Sequence, residues 1–326
     1  MRSAIPGRAA PLKTFLTWLI FASAVFGPAG AEAPDGEIPP LGLVPLPETA
    51  ARMLQQAPAG DTFGSFPASM DWRDAGVVTR AKMQRTCGAC WAFAAIACME
   101  SMCILAGAAP SIDLSEQFPI SCDVEYRAAY GARNDGCCGG TVTVFEFLKE
   151  NSAIDEGVFP FGNGDFGDTG SRGCEPSWTT IPCPEPYPTS NGWRIDGWAL
   201  IAPQPVPGVI PLKAALVQGP VWIGFRVYED FIDYWYYNDD PDTPYAHTSG
   251  DYLGCHAVLL IGYDDARDCW IARNSWGLTG PFDDGTFLVD YDADCDFGLN
   301  ASRATVARDP TPVRHASLGS LRALFR

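Results

Sequence analysis

The sequence predicts an α+β protein in which a helical half is followed by a sheet half. Helical patterns dominate before about residue 191 and strand patterns after it, and the 33 Gly and 28 Pro indicate many turns between them. A chain of 326 residues is long enough for about two domains. Because 47% of the residues are hydrophobic and 10 are Trp, both halves can bury a core.

The clearest helical signal is the stretch Cys90–Leu105, which is almost entirely apolar and is bounded by Gly88 and Gly107. A helix that is apolar on every side is buried, and its several alanines allow close packing. The sequence therefore predicts a central helix. Shorter helices are predicted at 48–56, 143–150 and 211–218.

Strand patterns follow in the second half. Residues 221–227 alternate, and 256–263 form the continuous apolar run of a buried strand. A polar turn at 264–268 separates that run from a strand at 270–274, and a further strand is predicted at 287–291.

The N-terminus has the pattern of a secretory signal peptide, predicted to span 1–31. Three basic residues precede an apolar run at 15–26, and the small residues Ala29-Gly30-Ala31 follow as a cleavage site. That run is shorter than the roughly 20 residues of a membrane span. We therefore expect a secreted protein, extracellular or periplasmic, with no membrane anchor after cleavage. The Pro- and Ala-rich residues 32–66 are predicted to be a short pro-segment or linker, and 311–326 a basic tail.

The formal charge of −17 argues against a nucleic-acid partner, because such binding needs a basic face. All 12 cysteines lie between Cys87 and Cys295, which in an exported chain indicates disulfide bonds. If one cysteine is kept free for chemistry, at least one more is left unpaired.

One cysteine has the surroundings of a nucleophile. Residues 84–93 read Gln-Arg-Thr-Cys-Gly-Ala-Cys-Trp-Ala-Phe, which places Cys90 in the first turn of the predicted central helix. A free thiol has a pKa near 8.5, and the positive end of a helix favours its ionised form. A nearby imidazolium would favour it further.

Only three histidines could supply that imidazole. His256 opens an apolar strand, where an unpartnered ring would be costly. If the hairpin turn centres near Asp265, His256 and Asn274 lie directly opposite each other, and the amide can orient the ring. One ring nitrogen then faces Cys90, and Trp276 can shield the His–Asn hydrogen bond from water.

These motifs resemble the papain-like (cathepsin-like) cysteine proteases. The resemblance covers about residues 68–302 in five blocks in the family's order: 84–93, Leu-Ser-Glu-Gln at 114–117, Gly-Cys-Cys-Gly-Gly at 136–140, Cys-His-Ala-Val at 255–258 and Asn-Ser-Trp-Gly at 274–277. It implies a two-lobed papain-like fold in a peptidase domain at 67–310. A helical lobe at about 78–190 and an antiparallel sheet or barrel lobe at about 191–310 would enclose the active site in a cleft.

The resemblance also implies residue roles. The catalytic set would be Cys90 as nucleophile, His256 as acid and base, Asn274 as its orienting partner and Gln84 as an oxyanion donor. Substrate would bind Gly139, Gly140 and Trp276 and an apolar pocket formed by Val142, Gly224, Ala257 and Ser302. Disulfides would join Cys87 to Cys137 and Cys122 to either Cys174 or Cys183. No cofactor or metal is expected, and the expected partners of this monomer are peptide or protein substrates and protein inhibitors.

Some positions depart from the family pattern. Cys138 and Cys255 replace polar residues beside the cleft, a second tryptophan after Gly277 is missing, and the pro-segment is short.

Three alternatives to a peptidase remain open. They are a thiol-disulfide oxidoreductase using Cys87 and Cys90, a zinc site at Cys87, Cys90, Cys137 and Cys138, and a binding protein without turnover. The triplet Asn300-Ala301-Ser302 also fits an N-glycosylation acceptor.

Overall fold

A computed structural model describes residues 41–56, 66–124, 126–127, 129, 131–162, 181–238 and 240–308. The predicted signal peptide, the basic tail and Cys174 lie outside these residues. The helices are α1 (Glu48–Leu54), α2 (Cys90–Leu105), α3 (Gln117–Cys122), α4 (Val144–Glu150), α5 (Val209–Leu216) and α6 (Glu229–Tyr237).

The strands are β1 (Gln55–Gln56), β2 (Ser69–Asp71), β3 (Tyr126–Arg127), β4 (Ala132–Arg133), β5 (Trp193–Ile201), β6 (Val221–Tyr228), β7 (Tyr252–Asp264), β8 (Cys269–Arg273), β9 (Thr286–Asp290) and β10 (Leu299–Arg308). The predicted helices and strands are all present, within a few residues of their expected ends. The sequence patterns did not predict the long strands β5 and β10, the helices α3 and α6, or the short strands β1 to β4.

A sheet of the order β1-β5-β10-β6-β7-β8-β9, with β2 beside β7, forms the second lobe. Its pairings are antiparallel except that of β1, which adds in parallel to the edge of β5. The fold is therefore the expected α+β architecture of two lobes, with one strand contributed by the predicted pro-segment.

The central helix α2 begins at Cys90 and ends at Leu105, as predicted, and its side chains are buried on nearly every side. It packs against α4 in its own lobe and against β6, β7 and β10 of the sheet. The indole of Trp222 on β6 also donates to the Trp91 carbonyl at 3.2 Å. These contacts hold the first turn of α2 at the boundary between the lobes, which is where the sequence places the candidate nucleophile.

Candidate active site

Cys90 is the first residue of α2 and is fully buried. Backbone hydrogen bonds from Ala257, Gly42 and Trp91 reach its thiol and lower its pKa, but burial outweighs them and raises the pKa to about 11. The contact with Ala257 places the thiol against the strand that carries His256. In this state the sulfur is therefore a neutral thiol at neutral pH.

His256 and Asn274 form the predicted pair: Nε2 of the imidazole donates to Oδ1 of the amide at 2.7 Å. Burial lowers the pKa of His256 to about 4, although the Asn274 hydrogen bond raises it. Among the described residues, Nδ1 has no hydrogen-bond partner. The ring is thus oriented, with one nitrogen available for proton transfer.

The predicted strand register was wrong, although the contact was right. Leu259 pairs with Arg273, so Asn274 continues beside Val258 rather than opposite His256. Asp264 pairs with Cys269, so the turn centres between residues 266 and 267 rather than near Asp265, and the amide reaches the imidazole diagonally.

The side chains of Gln84 and Trp276 are both buried. The Gln84 side chain is fixed at both ends: Nε2 donates to the Cys87 carbonyl at 2.8 Å, and Oε1 accepts from the Ser275 hydroxyl at 2.5 Å. The Trp276 ring lies 4.7 Å from the His256 ring and is 3% exposed. It covers the imidazole and so protects the hydrogen bond to Asn274 from water.

A segment that we call the cleft strap, residues 41–46, lies in the cleft. Gly140 donates to the Gly42 carbonyl at 2.8 Å and accepts from Val44 N–H at 2.8 Å, and Leu43 N–H donates to the Cys255 carbonyl at 3.1 Å. At Gly140 the strap therefore uses the backbone groups that the sequence assigned to substrate. Sequence reasoning treated 32–66 as a pro-segment or linker and did not anticipate these contacts.

Glycine is required where the strap passes the nucleophile. A Cβ on Gly42 would lie 1.6 Å from the Gly88 carbonyl oxygen, and one on Gly139, which has a φ of 113°, would lie 2.7 Å from the Gly42 oxygen. A Cβ on Gly140 would likewise lie 2.5 Å from the Trp91 ring. The backbones of cleft and strap can approach this closely only because these three positions have no side chain.

Leu43 lies in the predicted apolar pocket. Its Cδ2 is 2.3 Å from the place that a Cβ on Gly224 would occupy, and the Leu299 carbonyl oxygen is 3.0 Å from the same place. Val142, Ala257 and Ser302 are buried in the described structure. The glycine in β6 thus makes the space that a leucine-sized side chain fills.

The strap runs in the opposite direction to a substrate. In a substrate whose side chain two residues before the cut fills the pocket, the chain runs from N to C terminus between the pocket and Cys90. The strap instead has Leu43 at the pocket and the preceding Gly42 at the thiol. The Gly42 carbonyl is also bound to Gly140. The strap therefore occupies the cleft without presenting a carbonyl carbon for attack.

The disulfides argue against two of the alternatives, the oxidoreductase and the zinc site. Cys87 is bonded to Cys137 and Cys122 to Cys183, and Cys138 is also in a disulfide. Cys87 is therefore unavailable for a redox pair with Cys90 or for zinc. The free cysteines of the described residues, all buried, are Cys90, Cys98, Cys103, Cys255, Cys269 and Cys295.

A buried ion cluster that sequence reasoning missed lies behind the site. Lys82 contacts Glu100 at 3.0 Å and Glu116 at 2.8 Å, while Arg273 donates to the Thr79 hydroxyl at 2.7 Å. Burial raises the pKa of Glu116, and the positive charge of Lys82 opposes that rise. Because Arg273 directly precedes Asn274, the cluster anchors the end of β8. Its one sequence signal was Glu100, a charge within an apolar helix.

Comparison with known proteins assigns the chain to a family. Residues 66–305 match the family model for papain family cysteine proteases. The chain belongs to the papain family. Among curated relatives, it is 33% identical to the low-temperature-induced cysteine proteinase of Solanum lycopersicum over 220 residues and 31% identical to cathepsin S of Mus musculus over 243 residues.

These two matches cover 65% and 70% of this chain but only 54% and 62% of the relatives, so the papain-family chain described here spans part of their length. A solved structure, recombinant stem bromelain precursor, is 25% identical with a TM-score of 0.55, covering 81% of this chain and 74% of its own. The two-lobed papain fold is confirmed by this likeness.

No group of three or more His, Cys, Asp or Glu side chains in the described ranges could hold a metal ion. None of the helices within those ranges is long and apolar enough to span a bilayer.

Proposed function

We propose that this papain-family protein is a secreted cysteine peptidase, kept latent by its own cleft strap. The observation that carries the proposal is a peptide segment already bound across the cleft, on the backbone of Gly140 and Cys255 and beside the Cys90 thiol. A surface that binds an extended peptide beside a helix-terminal thiol and an oriented imidazole suits peptide-bond hydrolysis. Export is supported by the N-terminal pattern at 1–31 and by the disulfides.

In the proposed mechanism, the strap leaves and water enters the cleft. The proton of Cys90 passes to Nδ1 of His256, which Asn274 keeps in position. The thiolate attacks the peptide carbonyl, and Gln84 and the backbone N–H of Cys90 stabilise the oxyanion, with about 3 kcal/mol typical of such a donor. His256 protonates the leaving amine and then activates the water that releases the acyl group.

Weakening the strap should activate the full-length chain. We define the open-cleft variant as Gly42→Ala/Leu43→Ala, which introduces the clash with Gly88 and removes the side chain from the pocket. Since burying a leucine side chain stabilises by about 1.5–3 kcal/mol, we expect peptide hydrolysis to rise about 10- to 100-fold. The rate is measured with a fluorogenic peptide that has Leu two residues before the cut.

Met53→Ala is the matched control, because Met53 lies in the same segment on α1 but is 80% exposed. It should leave the rate unchanged. Equal rates in the open-cleft variant and the wild type would show that the strap does not inhibit.

The identity of the nucleophile is tested by a thiol-directed epoxide inhibitor. In the open-cleft variant the adduct should map by mass spectrometry to Cys90, while the buried Cys98 and Cys103 of the same helix stay unmodified. A variant that hydrolyses peptides but carries its adduct only on another cysteine would refute the proposal.

Filling the apolar pocket at Gly224 should change which peptides are cleaved. In the open-cleft variant, Gly224→Val places a β-branched side chain in the space that Leu43 Cδ2 now fills. We expect kcat/KM to fall about 10- to 100-fold for a peptide with Leu two residues before the cut. The matched substrate with Ala there should be much less affected. A uniform loss for both peptides would contradict the assignment of the pocket.

A further inference from the structure

Asn300 lies at the far end of the strap, in a bulge of β10. The pairing of β10 with β6 includes Leu299 with Gly224 and Ser302 with Trp222, and the register shifts between them. Asn300 has a φ of 51°, in the left-handed region that asparagine tolerates better than most residues. Bulges commonly re-aim side chains beside active sites. This bulge turns the amide next to the Gly224 pocket toward the strap.

The amide is held in a single orientation. Its Oδ1 accepts from the Leu46 N–H at 2.8 Å, and its Nδ2 donates to Gln204 Oε1 at 3.3 Å. Its backbone N–H donates to the Pro205 carbonyl at 2.8 Å, and the residue is 1% exposed. The amide nitrogen is thus bound inside the protein rather than displayed as a glycan acceptor. The amide therefore presents one hydrogen-bond acceptor, Oδ1, to the cleft.

That acceptor extends the row of groups that bind the strap. The Cys255 carbonyl and the Gly140 backbone bind residues 42–44, and Asn300 Oδ1 binds Leu46. Leu46 follows the pocket residue Leu43 by three positions, about 10 Å of extended chain. When the strap leaves, Oδ1 loses this partner and is open to water or to a donor from a bound peptide.

We propose that Asn300 is a substrate-binding residue, which accepts a backbone hydrogen bond from the peptide upstream of the pocket. The inference rests on the proposed peptidase function. A substrate runs opposite to the strap, so the residue that replaces Leu46 lies on its N-terminal side, four or five residues before the cut. The enzyme therefore binds at least four residues ahead of the cleaved bond and favours longer peptides over those that end at the pocket.

The test uses the full-length open-cleft variant and two fluorogenic peptides. The short peptide starts two residues before the cut, and the long one adds three N-terminal residues. One neutral hydrogen bond corresponds to about a 5-fold gain, so the long-to-short ratio of kcat/KM should be about 5. Asn300→Gly should reduce the ratio to about 1, and glycine accepts the positive φ without strain. Asn300→Asp keeps the acceptor and should keep the ratio, as should Met53→Ala.

Backbone N-methylation locates the donor. Methylating the peptide nitrogens of both the fourth and fifth residues before the cut should remove the gain in the Asn300-containing enzyme and have no further effect in Asn300→Gly. A ratio that stays near 5 in Asn300→Gly would overturn the proposal. So would losses of equal size for the short and long peptides, because a purely structural defect affects both.

A binding measurement separates this inference from the proposed function. Adding Cys90→Ala to the open-cleft variant removes turnover but leaves the cleft, and fluorescence anisotropy then gives Kd for both peptides. A preference for the long peptide that depends on Asn300 supports the inference even if no variant hydrolyses peptides. Failure of hydrolysis in every variant counts against the peptidase function alone, whereas equal Kd values for the two peptides overturn the role of Asn300.

Discussion

Replacing Cys90 by alanine in the open-cleft variant should reduce kcat for peptide hydrolysis by about 10⁴-fold or more. Loss of a catalytic nucleophile costs this much because neither the imidazole nor the oxyanion donors can supply the missing covalent step. The fold should survive, because the substitution removes only one buried sulfur atom from the first turn of α2. The measurements are kcat on the fluorogenic peptide and the thermal unfolding temperature.

Cys98→Ala is the matched control for this substitution. Cys98 is a free, fully buried cysteine in the same helix, and its thiol contacts the Pro220 carbonyl rather than the cleft. It should change kcat little while showing any general effect of losing a buried thiol. Near-normal kcat in Cys90→Ala would exclude this residue as the nucleophile.

Opening the cleft should also change the ionisation of Cys90 by orders of magnitude. In the strapped state burial disfavours the thiolate and raises the pKa of Cys90 to about 11, so about one molecule in 10⁴ carries a thiolate at pH 7. Water in the open cleft removes that penalty, while the N-terminus of α2 and a charged His256 favour the anion. We expect a pKa below about 8.5, which raises the thiolate fraction at pH 7 by about 300-fold or more.

The ionisation can be followed by the ¹³Cβ chemical shift of cysteine-labelled protein, with the Cys90 signal assigned from Cys90→Ala. The titration midpoint should move from about pH 11 in the full-length wild type to below about pH 8.5 in the open-cleft variant. Burial also lowers the pKa of His256 to about 4, so its midpoint should move upward on opening. Cys90 midpoints that coincide in the two proteins would contradict the idea that the strap keeps the thiol neutral.

Local sequence patterns predicted several features of this structure. The bounds of α2 were predictable because an apolar stretch between two glycines specifies a buried helix, whatever surrounds it. The candidate imidazole partners of Cys90 were few, since the chain has three histidines. The disulfide of Cys87 with Cys137 and the pairing of His256 with Asn274 were also anticipated, from family resemblance and from hairpin position respectively.

Several contacts between distant residues were not predictable. Leu46 and Asn300 are 254 positions apart, and nothing in either local sequence indicates the hydrogen bond between them. The turn between β7 and β8 centres between residues 266 and 267 rather than near Asp265, a shift that the polar residues of the turn do not specify. The pairing of Arg273 with Thr79 likewise crosses from one lobe to the other.

Sequence alone therefore determined the central helix, the chemical identity of the candidate catalytic groups and the family to which they point. The tertiary structure determined the ionisation state of these groups. Whether Cys90 is a neutral thiol or a thiolate depends on the water and charges around it, and the cleft strap excludes that water. Solvent exclusion is a property of packing between remote segments, so it becomes visible only when residues 41–46 are seen lying across the cleft.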